Sequence, residues 1–156
     1  MQDLDFAAFC KAYNGIQKDS DQLYRRFARH FGLSDSACWI LYVLREENRP
    51  LSQTELCSAL YLSKQTINSA LKCLENQGVI RLGCAEGDRR SKLVSLTEAG
   101  LALVERAIDP IFRVEERAFL RLTEAERTAL LALGQKYLDL LHEEADVLFS
   151  QSPTGG

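Results

Sequence analysis

The sequence predicts a mainly α-helical fold that carries one small β-hairpin. Apolar residues recur at helical spacing through most of the chain. Two capping boxes, Ser52 to Glu55 and Thr123 to Glu126, mark helix starts, and a turn at Ala85-Glu86-Gly87 separates two short strand-like runs. A chain of 156 residues is predicted to be one domain, or one domain with helical extensions.

Two helices are predicted at the start of the chain. The apolar positions from Phe6 to Phe31 follow a mostly helical spacing, and Gly32 fits the end of this helix as a C-cap. Ser34 is the candidate N-cap of a second helix, from Asp35 to about Glu47, which Asn48-Arg49-Pro50 ends.

Two shorter helices follow at the centre of the sequence. The capping box at Ser52 starts a helix to about Leu60, and Ser63 is the N-cap of a helix from Lys64 to about Gln77. One side of this second helix is an apolar stripe, formed by Ile67, Ala70, Leu71 and Leu74. Side chains of the types that bond base edges and phosphates in a major groove form the other side and the first turn: Lys64, Gln65, Thr66, Asn68, Ser69 and Lys72. A merely solvated face is the alternative, and the hairpin that follows favours a recognition helix.

A β-hairpin with two adjacent arginines comes next. The strand Val79 to Cys84 leads into the turn, where Gly87 can take a positive φ. The run from Asp88 to Gly100 is predicted as a polar loop tip, a short strand and a helix start. A helix pair followed by such a hairpin is the layout of a winged helix-turn-helix, and the Arg89-Arg90 tip would reach a DNA backbone or minor groove.

The C-terminal part predicts two amphipathic helices. The first runs from Gly100 to about Leu122 with a kink at Pro110, and the second runs from the capping box at Thr123 to about Phe149. Residues 150–156 are predicted to be a disordered tail.

The terminal helices carry more apolar surface than the small winged helix-turn-helix domain between them can cover. We therefore expect residues 1–32 and 101–149 to be dimerisation helices that pack on the same helices of a second subunit. The DNA-binding domain between them spans residues 33–100. An intramolecular helical bundle is the alternative.

Positive charge is concentrated where the predicted motif lies. The net charge of the chain is −3, yet the segment from Tyr61 to Lys92 carries six cations against three anions, a local net charge of +3. The local positive charge therefore favours a nucleic-acid partner, although the net charge of the whole chain is negative.

The sequence does not support several other function classes. It has no secretory signal and no apolar run near the roughly 18 residues of a membrane helix, which predicts a cytoplasmic protein without a membrane partner. The five cysteines are widely spaced, and His30 and His142 are isolated, so we expect neither a disulfide framework nor a metal site. Because no nucleophile elbow, P-loop or dinucleotide fingerprint is present, we expect neither an enzyme nor a cofactor.

The hairpin resembles the signature of the MarR family of bacterial transcriptional regulators. That pattern is Asp-x-Arg, three residues, Val-x-Leu-Thr, two residues and Gly, and this chain matches it at Asp88, Arg90, Val94, Leu96, Thr97 and Gly100. The resemblance extends from about Phe6 to Phe149. It implies a triangular homodimer in which the terminal helices form the interface and two winged heads bind a roughly palindromic DNA operator, usually as a repressor.

The resemblance also implies roles for the hairpin tip. Arg90 would enter the minor groove with Asp88 orienting it, while Arg89 and Lys92 would contact phosphates. With the recognition helix, the expected DNA-binding residues are Ser63, Lys64, Gln65, Thr66, Asn68, Ser69, Lys72, Asp88, Arg89, Arg90 and Lys92. A winged-helix module for protein–protein contacts is the alternative, which the arginine tip and the polar helix face disfavour.

Members of this family commonly release DNA when a small, often aromatic or phenolic, ligand binds between the dimer helices and the head. Aromatic residues on the first two helices are near this place and are candidate ligand-binding residues: Tyr13, Tyr24, Trp39 and Tyr42. Ordinary core and interface aromatics are the alternative interpretation.

Thiol oxidation is the other mechanism of control that the resemblance suggests. Cys10 lies where the organic-hydroperoxide-sensing members keep their reactive cysteine, and Tyr24 stands where they place a tyrosine that bonds it. Asn14 occupies the place of a second expected tyrosine, and Tyr13 is one residue short, which turns its ring by about 100° on the helix. A buried and inert Cys10 is the alternative.

Overall fold

The computed structural model describes residues 5–85 and 88–150, and at 84–85 and 88–91 it describes the backbone alone. The elements follow in the order α1 (Phe6–His30), α2 (Asp35–Glu47), β1 (Leu51–Ser52), α3 (Gln53–Leu60), α4 (Lys64–Asn76), β2 (Ile80–Ala85), β3 (Asp88–Leu96), α5 (Glu98–Ala107), α6 (Asp109–Leu120) and α7 (Glu124–Ser150). The chain is mainly helical with one small antiparallel sheet, so the predicted fold class is confirmed.

Side-chain caps fix the helix starts. The predicted capping residues Ser34, Ser52, Ser63 and Thr123 all accept a bond from the backbone N–H three residues later. At α2, for example, Ser34 Oγ accepts from the N–H of Ala37 at 3.2 Å. At α3 the bond is reciprocal, because the carboxylate of Glu55 accepts from the N–H of Ser52 at 2.7 Å.

Glycines in the left-handed region end two of the helices. Gly32 and Gly78, with φ of +70° and +71°, follow the last turns of α1 and α4. After Gly32, the N–H of Leu33 donates to the carbonyl of Ala28 at 2.9 Å, and α4 ends in the same way. These bonds satisfy carbonyls that the helix itself leaves unpaired.

The three strands form an antiparallel sheet in the order β1-β3-β2. In this sheet Val94 is opposite both Leu51 of β1 and Leu82 of β2. Strand β3 begins at Asp88, whose partner is Ala85, so the backbone of residues 88–90 lies in the strand and not in the predicted loop tip. The predicted turn residues Glu86 and Gly87 lie outside the described residues.

The long helix predicted from Gly100 to Leu122 is two helices. Helix α5 ends at Ala107 and α6 begins at Asp109, with Ile108 between them. Pro110 occupies the first turn of α6, where its missing N–H leaves no helical bond unmade. The predicted kink is therefore a break, and Pro110 lies just inside the start of the new helix.

The described residues divide into two compact units between Phe112 and Arg113. The first unit encloses one apolar core, and its largest fully buried side chains are Ile40, Leu41, Leu51, Leu56, Ile67, Leu74, Ile80, Val94, Val104, Ile108 and Ile111. An ion pair supports this core at its edge, because Arg45 of α2 donates to both carboxylate oxygens of Asp109 at 2.8 and 3.1 Å.

The second unit consists of the rest of α6 and the 27-residue helix α7. None of the residues of α7 is buried, although the helix carries exposed leucines along its length. At its start the guanidinium of Arg127 lies 3.8 Å above the ring of Phe119. Ser150, predicted to begin the tail, is the last residue of α7. Within the described ranges, no helix has both the length and the apolar character needed to cross a membrane.

Candidate nucleic-acid interface and adjoining cavity

Helices α3 and α4 form a helix-turn-helix, and the two sides of α4 differ as predicted. Its apolar stripe is buried, at Ile67, Ala70, Leu71 and Leu74. The polar side chains are exposed: Lys64, Gln65, Thr66, Asn68, Ser69 and Lys72. The packing of the stripe against α2 and α3 therefore sets which side of α4 faces outward.

Two of the predicted contact residues also hold the helix start. The hydroxyl of Ser63 accepts from the N–H of Thr66 at 3.1 Å and bonds the Thr66 hydroxyl at 2.8 Å. Both hydroxyls are thus engaged within the first turn of α4, which gives this turn a fixed geometry.

A glutamine of the preceding helix contacts the exposed side of α4. Gln53, the first residue of α3, donates a hydrogen bond from its amide Nε2 to Oδ1 of Asn68. This bond engages Oδ1 of Asn68. The sequence did not predict this role of Gln53. Gln53 and Asn68 are 15 residues apart, and no local pattern shows how α3 crosses α4.

The hairpin supplies the second exposed element of this surface. The side chain of Lys92 is exposed on β3, opposite Cys84 of β2. The backbone places Asp88, Arg89 and Arg90 at the start of β3. The side chains of these three residues lie outside the description, so their predicted roles stay predictions.

The root of the hairpin is tied to the end of α4. Thr97, the N-cap of α5, donates from its hydroxyl to the carbonyl oxygens of Gly78 and Val79 and accepts from the N–H of Gly100 at 3.0 Å. A Cβ on Gly100 would lie 2.0 Å from the Val79 carbonyl oxygen, so only glycine fits this approach. The second half of the sequence motif is therefore structural.

A cavity of about 450 Å³ lies in the first unit beside the helix-turn-helix. Three of the four predicted ligand-binding aromatics line it: Tyr24, Trp39 and Tyr42. The Trp39 ring centroid is 4.7 Å from that of Tyr24 and 5.4 Å from that of Tyr42. Tyr13 does not line this cavity, and its ring stacks on Phe9.

The cavity wall also contains polar side chains and two residues of the helix-turn-helix. Arg25 forms an ion pair with Asp35 at 3.5 Å on this wall. Burial raises the pKa of the Cys38 thiol to about 11, with a further contribution from the carboxylate of Asp35, so this thiol is neutral. Leu62 and Thr66 reach the same cavity from the turn before α4 and from its first turn, which joins the cavity to the recognition helix.

Cys10 is half-buried on α1 and is a free thiol. Because α1 is one continuous helix, Cys10 and Tyr24 of the same chain are about 21 Å apart along its axis. One chain therefore does not bring these two predicted sensor residues together. In the part of the chain that the structure describes, no three His, Cys, Asp or Glu side chains cluster to hold a metal ion.

The fold and the exposed surface of α4 define a winged helix-turn-helix. A MarR family model matches residues 31–91. The chain is 34% identical over 112 residues to the HTH-type transcriptional regulator PecS of Dickeya dadantii, covering 70% of this chain and 63% of that relative. The chain belongs to the MarR family.

Solved structures have the same fold. NMB1585, a MarR family regulator from Neisseria meningitidis, is 25% identical and superposes with a TM-score of 0.70, over 98% of this chain and 100% of that one. The DNA complex of MepR from S. aureus has a TM-score of 0.67 at 23% identity, over 84% of this chain and 96% of that one. The chain spans a little over three fifths of the length of PecS.

Proposed function

We propose that this protein is a DNA-binding transcriptional repressor that acts as a homodimer on a palindromic operator. The observation that carries the proposal is the exposed polar side of α4, which a buried apolar stripe holds outward next to a cationic hairpin. PecS is named a transcriptional regulator, and MepR has been solved bound to DNA, which supports this use of the fold.

In the proposed complex α4 lies in the major groove. Gln65, Asn68 and Ser69 read base edges, while Lys64 and Lys72 contact phosphates. Because Gln53 occupies one side of Asn68 Oδ1, the Asn68 amide recognises an acceptor such as O4 of thymine or N7 of a purine.

The hairpin reaches the neighbouring minor groove. Arg90 enters this groove, Asp88 orients its guanidinium, and Arg89 and Lys92 neutralise phosphates. The start of β3 next to the turn supports this assignment, since it puts these residues at the far end of the hairpin.

The homodimer is supported by apolar surface that the described chain leaves uncovered. On α7, Leu131 is 75% exposed and Phe149 is 68% exposed, and on α1, Ile16 is 69% exposed. A second copy would bury such helices, and a two-fold axis would set two heads on half-sites about one helical turn apart.

We also assign a small aromatic or phenolic effector to the cavity of Tyr24, Trp39 and Tyr42. Its volume suits a small-molecule site, and the tilted and edge-on rings of its wall suit an aromatic ligand. Asp21, Arg25 and Asp35 on the same wall can hydrogen-bond a phenolic hydroxyl. A ligand there would press on Leu62 and Thr66, so binding would move the first turn of α4 and release the DNA.

Salt-dependent binding of the full chain to duplex DNA tests the main proposal. A duplex selected by the wild-type protein from a random-sequence pool is titrated by fluorescence anisotropy at several salt concentrations. Lys72→Gln should weaken binding to all sequences alike and reduce the log–log salt slope by about one. Lys136→Gln, which removes the same charge from α7, is the matched control and should leave both quantities unchanged.

Arg90→Ala should abolish operator binding while the dimer persists in analytical ultracentrifugation. Wild-type protein that shows no salt-dependent binding to any duplex would contradict the proposal. Native affinity of Arg90→Ala would contradict the assignment of that residue alone.

Peroxide sensing by Cys10 is the alternative mechanism of control. The half-buried, free thiol is accessible to a small oxidant, and a partner subunit would have to supply Tyr24. Release of DNA by an organic hydroperoxide that persists in Cys10→Ser would eliminate this mechanism.

A further inference from the structure

Tyr61 combines two unfavourable features at the turn of the helix-turn-helix. Its backbone is left-handed, with φ 51° and ψ 30°, and its side chain is 95% exposed. The left-handed region crowds any residue with a Cβ, and asparagine tolerates it far better than tyrosine. Among the described non-glycine residues only Asn48 shares a positive φ, and there the residue type suits the conformation.

The neighbours of Tyr61 fix the direction of this side chain. Leu60 packs against the core, and Leu62 lines the cavity described above. With both flanking side chains turned inward, Tyr61 projects outward between the end of α3 and the first turn of α4. No hydrogen bond or ring contact within the described residues accounts for this conformation.

We propose that Tyr61 contacts the DNA backbone, with its ring against a deoxyribose and its hydroxyl donating to a phosphate oxygen. This inference rests on the proposed DNA-binding function. Lys64 and Gln65 follow Tyr61 on the exposed first turn of α4, which enters the groove between two phosphate strands. The phenol is a donor at the tip of a stiff side chain, and the fixed left-handed backbone presents it in one direction, so little freedom is lost on binding.

The surroundings favour DNA over a second subunit. Ser63, Lys64 and Gln65 around Tyr61 are polar and exposed, whereas a subunit interface would extend apolar surface around the ring. The cavity is also excluded as the target, because Leu62 occupies that side.

The test compares substitutions at the two described non-glycine positions that have a left-handed backbone. Tyr61→Gly removes both the strain and the proposed contact, whereas Asn48→Gly, the matched control, changes the other such residue after α2. Tyr61→Phe removes only the hydroxyl, and Tyr61→Asn keeps a residue that accepts the conformation. Melting temperatures and affinities for the duplex selected by the wild-type protein, and for a scrambled duplex, are measured for the full chains.

We expect no loss of melting temperature in Tyr61→Gly or Asn48→Gly. Tyr61→Gly and Tyr61→Asn should weaken binding roughly tenfold and Tyr61→Phe about threefold, by equal factors on both duplexes. Because tyrosine is uncharged, the salt slope should stay that of the wild type. Asn48→Gly should bind as the wild type does.

Three results would overturn the inference while leaving DNA binding intact. They are wild-type affinity of Tyr61→Gly, a loss confined to the selected duplex, or an equal loss in Asn48→Gly. Absence of salt-dependent DNA binding by the wild-type protein would instead overturn the inference together with the proposed function.

Discussion

The hydroxyl of Thr97 donates to the carbonyl oxygen of Gly78 at 2.5 Å and to that of Val79 at 3.1 Å. The backbone N–H of Thr97 donates to the same Val79 oxygen at 3.1 Å. One residue therefore caps α5, closes the root of the hairpin and satisfies carbonyls just beyond α4. The recognition helix and the wing are held together at this junction, so their relative geometry does not depend on the hairpin tip.

Gly100→Ala should destabilise the protein strongly. The new Cβ would lie 2.0 Å from the Val79 carbonyl oxygen, so the junction would have to open, at a cost of about 3 kcal/mol. Urea denaturation measures the difference. Gly83→Ala in β2 is the control, because a Cβ there meets no atom within 4 Å and should change stability by less than about 0.5 kcal/mol.

Asp109→Asn should lower stability by about 1 kcal/mol, because it breaks the bidentate ion pair with Arg45. The Asp109 side chain is only 20% exposed, which limits screening by solvent. Arg25→Gln is the control. It breaks the ion pair with Asp35, which is longer, at 3.5 Å, and largely exposed, so it should lower stability less. Equal losses in Asp109→Asn and Arg25→Gln would show that burial does not distinguish the two pairs.

Glu55→Gln should change how stability depends on acid pH. Hydrogen bonds from the backbone and side chain of Ser52, and then from Arg49, lower the pKa of Glu55 from 4.5 to about 2. A pKa that is lower in the folded state stabilises the protein above the unfolded value, and this contribution is lost as the pH falls from about 4.5 towards 2. The stability difference between wild type and variant should therefore shrink over this range in a denaturation series. A difference that stays constant down to pH 2 would contradict the assignment.

Cys38 should be the slowest to alkylate of the four cysteines whose side chains the structure describes. Burial raises its pKa from 9.0 to about 11, which lowers the thiolate fraction about a hundredfold at neutral pH. Cys73, which is exposed on α4, should react first. Iodoacetamide labelling followed by peptide mass spectrometry gives the order, and early modification of Cys38 in the folded protein would refute it.

Gln53→Ala should alter base preference at one position of each half-site without changing the salt slope. The substitution frees Oδ1 of Asn68, so the amide can pair with adenine through both a donor and an acceptor. Selection from a random duplex pool should show the altered position. Gln135→Ala, which breaks a side-chain bond to Asp139 on α7, should leave the selected sequence unchanged.

Local interactions explain why so many helix limits could be predicted. The bonds of Ser34 and Ser63 to the N–H groups three residues ahead depend only on the adjoining sequence, and both start helices as predicted. The bounds of α2 and α3 follow in the same way from their caps.

Long-range relationships could not be predicted in this way. The start of β3 at Asp88 depends on pairing with β2. The bond between Gln53 and Asn68 requires the crossing of two helices, which no spacing within either helix encodes. The resemblance to the MarR family suggested the four candidate aromatics, but only the structure shows that Tyr24 lines the cavity and Tyr13 does not.

The chain contains a single tryptophan, and that residue is Trp39 of the cavity wall. Its indole lies against Tyr24 and Tyr42, so whatever enters the cavity changes the surroundings of the protein's one strong intrinsic fluorophore. The unmodified protein thus carries its own optical label at the place where an inducer is expected. Libraries of small aromatic compounds can be screened directly by tryptophan emission, without knowledge of the operator or the regulated genes.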